Sequence, residues 1–222
     1  LTYTTMGNYA KALEYCLLGL KLSEENNDKK QIAALLNNIG IVYNHNQQYE
    51  NALAYFLKSA AMNMADGNTN SAASGYINAG YAYYNLNQPD SALAYFLKSK
   101  AQYEKSGNKQ GLANAYNNIA RVYMQKGNTA SAIEYYLAAA KIKETIGDKM
   151  GLCYTYEAMG RAFSEKFKKS KDNNDFTEAD KYLKLSLKIA VETGSMNNMV
   201  DGYQSLSDLY SLKDDYKNAY YY

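Results

Sequence analysis

The chain has no tryptophan, one proline, one histidine and two cysteines among its 222 residues. So few soft donors cannot build a zinc-type cluster, so a metal site of that kind is excluded and no cofactor is expected. A single proline leaves little of the chain to rigid loops. The charge balance is equally short of a dominant sign: 24 Lys and Arg face 22 Asp and Glu, a formal net charge of +2. Without a broad positive field the region has no means of gripping nucleic acid or an anionic membrane surface. No apolar run approaches the ~20 residues that cross a bilayer, so membrane insertion by this region is not expected. Catalysis lacks its usual tools as well. No Ser or Cys pattern with a histidine base, no ligand cluster and no glycine-rich loop opening a helix is present, so no catalytic residue is assigned and the region is read as a non-enzyme.

What is abundant is tyrosine, 25 residues, alongside Asn and Ala in a chain that is 47% hydrophobic. That apolar content suffices for a substantial core, and the mixture suits packed helices with semi-polar faces better than strands. The sequence also repeats. Leu36 to Tyr43 (LNNIGIVY), Tyr76 to Tyr83 (YINAGYAY), Tyr116 to Tyr123 (YNNIARVY) and Tyr156 to Phe163 (YEAMGRAF) align without gaps at a spacing of 40 residues. A fifth copy, Tyr203 to Tyr210, follows after 47 because of an insertion of 7 within 167–174. A second element runs in step: Tyr49 to Phe56, Pro89 to Phe96, Thr129 to Tyr136 and Phe176 to Leu183, with copies at Tyr9 to Cys16 and from Tyr216.

Each unit reads as two helices. Leu112, Ala115, Tyr116, Ile119, Ala120 and Tyr123 fall on one stripe of a 3.6-residue period, and Ala132, Ile133, Tyr136, Leu137 and Ala140 make another. Between them come short polar breaks such as Asn27-Asp28, Gly67-Asn68, Gly107-Asn108 and Gly147-Asp148. About 17 residues remain for each helix, or ~25 Å. Small residues recur where two backbones must approach: Gly40, Gly80, Ala120 and Gly160 on the first helices, Ala52, Ala92, Ala132 and Ala179 on the second. A helical glycine costs about 1 kcal/mol against alanine, so three of them imply a packing requirement.

Gly, then Tyr43, Tyr83, Tyr123 or Phe163, then Ala, then an aromatic at 56, 96 and 136 resembles the tetratricopeptide repeat over nearly the whole chain. The resemblance implies an all-α fold, a right-handed α-α superhelix of about five and a half helix-turn-helix repeats. The expected organisation is a single solenoid over 1–222, cut at both ends: a partial repeat at 8–26, repeats at 29–66, 69–106, 109–146 and 149–193, and an incomplete one at 196–222. The 40-residue period is similar to the longer-helix subfamily of kinesin light chains, cell-polarity adaptors and bacterial regulators, which bind partners through their repeats. The Tyr-, Asn- and Lys-rich style, with the ending Leu212 to Tyr220, resembles sensor regions of Bacteroidetes membrane-bound regulators, which precede a transmembrane helix and a histidine kinase or DNA-binding output.

In the family the first helices line a concave groove, which implies a protein or peptide ligand there. On that stripe Asn38, Asn78 and Asn118 form an amide ladder that either holds an extended peptide or bridges adjacent helices. Asn37 and Asn117 sit beside it. Tyr81, Asn114 and Tyr154 share the stripe, and Arg121 and Arg161 are positioned to grip an acidic residue, or else to pair with Glu157 or Glu165. Asp201 and Asp208 favour a basic residue beyond. His45 is expected to be a surface or packing residue, and Lys166, Lys168, Lys169 and Lys171 a solvated helix extension. Cys16 is expected to be buried, and Cys153 lies on a different helix four repeats later, so no disulfide is expected.

Two functional classes stay open. One is the sensory or regulatory segment of a larger bacterial signalling protein; the other is a free-standing soluble adaptor that bridges partner proteins. Both ends cut through repeats, so the chain is expected to be a fragment, with self-association through its uncapped ends left open. Any kinase activity belongs outside it. The compartment is left open, with the periplasmic part of a membrane-anchored protein slightly preferred.

Overall fold

A computed structural model describes residues 8–222. Among them are eleven α-helices and no strand: α1 Tyr9–Glu25, α2 Lys29–His45, α3 Tyr49–Ala65, α4 Thr69–Asn85, α5 Pro89–Ser106, α6 Lys109–Gln125, α7 Thr129–Ile146, α8 Lys149–Ser170, α9 Asn173–Thr193, α10 Met196–Ser211 and α11 Tyr216–Tyr221. They fall into two compact units, one up to Ala115 and the other from Tyr116, divided within α6. No described helix is long and apolar enough to cross a membrane.

The two-residue breaks do two jobs. Their first residue takes the left-handed conformation that ends a helix: Gly107 has φ 68° and Gly147 φ 71°, with nothing near a hypothetical Cβ, so conformation and not space selects glycine there. Asn27 does the same at φ 53°. At these three breaks the second residue also caps the next helix. Asp28 Oδ1 accepts from the Gln31 amide at 3.0 Å, Asn108 Oδ1 from Gly111 at 2.8 Å and Asp148 Oδ1 from Gly151 at 2.8 Å. Each such cap contributes about 1 kcal/mol.

Within a pair the helices approach as the recurring glycines require. A Cβ on Gly40 would stand 2.6 Å from Phe56, one on Gly80 2.5 Å from Phe96, and one on Gly160 2.6 Å from Leu183. Ala52, Ala92, Ala132 and Ala179, opposite them, are fully buried. A second size match joins two of the second helices to the next first helix. Tyr103 packs under Gly111, and Lys143 lies under Gly151, where Asn63 and Ser71 stand one or two repeats earlier. Lys143 is 3% exposed; burial lowers its pKa, while Asp148, 3.8 Å away, opposes that shift.

Aromatic rings close the outer ends of the pairs. Tyr43 stacks on Tyr55 at 5.4 Å, Tyr83 on Tyr95 at 5.2 Å, Tyr123 on Tyr135 at 5.6 Å, Phe163 on Tyr182 at 5.8 Å and Tyr210 on Tyr222 at 5.7 Å. A third ring leans on four of these: Tyr76, Tyr116, Tyr156 and Tyr203. Each contact adds about 0.5–1.5 kcal/mol beyond area burial. The stacked rings are half-buried, which suits tyrosine, whose ring packs while its hydroxyl meets water.

The insertion lengthens helices instead of making a loop. α8 has 22 residues and α9 has 21, against 17 or 18 in the earlier helices. Phe167 meets Phe176 edge-on at 5.4 Å, and Lys213 lies over the Phe176 ring at 4.1 Å. Beneath them Asp175, 4% exposed, accepts from Lys166 Nζ and Ser170 Oγ, both at 2.7 Å. Burial alone would raise the Asp175 pKa, but these donors outweigh it and hold the carboxyl below its ordinary value.

Two outcomes follow from this packing. Gly80→Ala should destabilise by about 1–2 kcal/mol despite its better helix propensity, because a buried ring must move. Gly202→Ala, whose Cβ would meet only Leu187 at 3.3 Å, should be neutral or stabilising; urea denaturation of both variants checks the contrast. Asp175→Asn should lower stability by about 1–3 kcal/mol at neutral pH. Because the folded pKa is depressed, the wild type keeps this increment above the carboxylate range and loses it as pH falls through the lowered value. The variant's deficit should therefore shrink in denaturation series carried into strong acid.

Candidate peptide-binding surface

Successive first helices touch through polar side chains. In the first unit Asn78 Nδ2 on α4 donates to Asn37 Oδ1 on α2 at 2.8 Å. In the second, Asn117 Nδ2 on α6 donates to Thr155 Oγ1 on α8 at 2.8 Å, and Ser205 Oγ on α10 donates to Glu157 Oε1 on α8 at 3.3 Å. Asn37, Asn117 and Glu157 occupy one repeat position, so the cross-repeat link recurs at that register.

Beside the link lies a crevice. Between α2 and α4 it measures about 260 Å³ and is lined by Ala34, Asn37, Asn38, Ser71 and Ser74, with Lys30 and Asn68 also on its walls. Its floor comes from α3: Ser59 is 2% exposed and donates to the Ala33 carbonyl at 2.7 Å, and Asn63 Nδ2 donates to the Ser59 carbonyl at 3.0 Å. Between α8 and α10 a smaller crevice of about 20 Å³ is lined by Cys153, Tyr154, Glu157, Ser186, Asn198 and Asp201. It uses the same repeat positions, and Ser186 Oγ again donates across the pair, to the Cys153 carbonyl at 2.8 Å. These walls offer amide and hydroxyl groups to a ligand backbone without a nucleophile-base pair among them.

Models of the tetratricopeptide repeat match residues 1–63 and 31–105, and a further one matches 113–146, more than half of the chain in all. The chain belongs to the tetratricopeptide repeat family. No curated protein matches its sequence. Among solved structures, BtubC (BKLC) from P. vanneervenii superposes with a TM-score of 0.82 at 13% identity, over 96% of this chain and 87% of that one. A Signal Transduction ATPase with Numerous Domains protein with a tetratricopeptide repeat sensor, from Pyrococcus horikoshii, gives 0.81 at 19% identity over 98% of this chain. This chain spans 33% of that protein. The apo form of the quorum sensor NprR from B. thuringiensis gives 0.67 at 17% identity, over 99% of this chain and 54% of that one. At such identities the likeness is one of fold.

The repeats place the expected groove residues in different settings. Asn38 is half-buried on the wall of the α2–α4 crevice, and Tyr154, 57% exposed, stands at the α8–α10 crevice. Asn114 is exposed and Arg121 half-buried on α6, while Asn118 on that helix is 5% exposed. Asn78 serves the cross-repeat link. Tyr81 sets its ring edge-on to Phe96 at 5.5 Å. Arg161 pairs with Glu157 at 3.3 Å, one of the two local partners its sequence position allowed. His45 is exposed at the end of α2, Cys153 is buried and Cys16 only half-buried; both cysteines are free. Ser59, Asn63, Ser71, Ser186 and Asn198 are crevice residues that sequence reasoning passed over, and Asn37 was placed only beside the ladder and Glu157 only as a local partner of Arg161.

The Asn37–Asn78 bond is half-buried, so losing either partner should cost about 1 kcal/mol. A double-mutant cycle of Asn37→Ala and Asn78→Ala should show positive coupling of about 0.5–1.5 kcal/mol in chemical denaturation. Strict additivity would remove Asn78 from the link.

Proposed function

We propose that these repeats are the sensory or regulatory segment of a larger bacterial signalling protein, and that they hold an extended peptide or protein segment along the first-helix face. The observation that carries this reading is the open α2–α4 crevice, whose walls are, apart from Lys30, small or amide side chains and whose floor is already hydrogen-bonded. Small residues admit a backbone, and amides answer both its N–H and its C=O groups. The likeness in fold to chains described as a repeat sensor and a quorum sensor supports the sensory part. A periplasmic position belongs to the same proposal. An acidic residue of the bound segment lies, in this reading, in register with Arg121.

A second reading has its own support. The two units carry crevices of different chemistry, which suits an adaptor holding segments of two proteins. The parent gene separates the readings: an apolar span of about 20 residues leading to an output domain fits the sensor, and a stop soon after a capping helix fits the adaptor.

Binding itself is tested by selecting random peptides on the immobilised chain. Peptides should be enriched, and Ala34→Arg, which fills the crevice from an exposed position, should weaken them about tenfold without lowering the melting temperature. No enrichment, or enriched peptides indifferent to both Ala34→Arg and Asn38→Ala, would overturn the proposal.

A further inference from the structure

The two crevices are built from equivalent repeat positions, yet their chemistry has diverged. Where the α2–α4 crevice has Ala34, Asn37, Ser71 and Ser74, the α8–α10 crevice has Tyr154, Glu157, Asn198 and Asp201. A polar wall with one lysine and no carboxylate has thus become one with two carboxylates and an exposed aromatic ring.

None of these groups is saturated. Asp201 is exposed and has no ionic partner among the described residues. Glu157 receives Ser205 and Arg161 at 3.3 Å each, long for bonds to a charged acceptor, and the Arg161 side chain is 68% exposed, so water screens that pair. Tyr154, unlike the stacked tyrosines, packs on no other ring among the described residues and is 57% exposed. At the back, Asn198 is 6% exposed and its Nδ2 has no hydrogen-bond partner. A buried amide donor without an acceptor is unfavourable, so this group points to something that supplies one.

We infer that the outer rim of the α8–α10 crevice, formed by Tyr154, Glu157 and Asp201, takes an arginine side chain of the bound segment. The inference rests on the peptide-binding reading and adds the chemistry of one ligand position. The guanidinium plane lies over the Tyr154 ring, where cation–π attraction favours it, and its N–H fork donates to the Asp201 and Glu157 carboxylates. The crevice itself, about 20 Å³, has room under that rim for one water, which accepts from the Asn198 amide. Lysine lacks the planar fork and binds less well; a glutamate is repelled. The α2–α4 crevice, with Lys30 on its wall and no carboxylate, has no such preference.

The test uses the chain 1–222 and a single-residue probe, N-acetyl-arginine amide, followed by the NMR signals of the Tyr154 ring and the Asn198 side-chain amide. Saturable shifts are expected, about tenfold weaker for the uncharged isostere N-acetyl-citrulline amide, and weakened similarly by D201N and by E157Q at unchanged melting temperature. No saturable shift, equal affinity for citrulline, or binding undiminished in both variants overturns the inference. Because the probe needs no peptide, failure here leaves selection at the α2–α4 crevice standing. Failure of that selection with arginine shifts retained condemns only the α2–α4 reading.

Discussion

In three of the helix pairs a bulky side chain from the second helix lies where the first helix would otherwise carry a Cβ. Phe56 covers Gly40, Phe96 covers Gly80 and Leu183 covers Gly160, and the Ala52 carbonyl comes within 3.2 Å of a hypothetical Cβ on Gly40. Dropping one carbon lets two backbones meet, and a well-packed interior does not stretch to restore the gap. The rest of the pair depends on that separation. Tyrosines at the ends of the first helices reach Tyr55, Tyr95 and Tyr135 on the second only because the axes are already close. Where the glycine is replaced by Ser207, its hydroxyl donates to the Ala219 carbonyl at 2.8 Å, so the approach is kept by a hydrogen bond.

Contact between repeats is more polar and more variable, and this is where function has room to differ. The pairs Asn37 with Asn78, Asn117 with Thr155 and Glu157 with Ser205 hold successive first helices by single bonds between side chains. Single bonds of about 1 kcal/mol tolerate substitution more readily than a buried ring does. Positions beside them have accordingly changed between the α2–α4 and α8–α10 crevices, while Ser59 and Ser186 keep the same donor role beneath. A constant floor under variable walls gives the two crevices different surface chemistry on one fold.

The all-helical class, the pairing of helices and the packing role of Gly40, Gly80 and Gly160 were legible without coordinates. They rest on a 40-residue recurrence and on 3.6-residue stripes, which are properties of residue order. Less was legible at the surface. Asn37 and Asn38 are neighbours in sequence and both line the α2–α4 crevice, yet it is Asn37 that also bridges to the next repeat. The partners of the tyrosine stacks were also hidden, since Tyr55 and Phe56 are adjacent aromatics and periodicity alone does not say which ring turns to Tyr43.

The residue order by itself determined which side chains share a helix face and where each helix stops, because both follow from the helical period and from left-handed or capping residues at the breaks. Only the tertiary structure decided which of those faces meet. One residue step turns a side chain by about 100°, so the rotation of one helix against its neighbour decides which of two adjacent amides bridges to the next repeat. That rotation is set jointly by the packing of both helices. It placed Asn198 out of water behind Glu157 and Asp201, and it folded the seven-residue insertion into a longer helical hairpin.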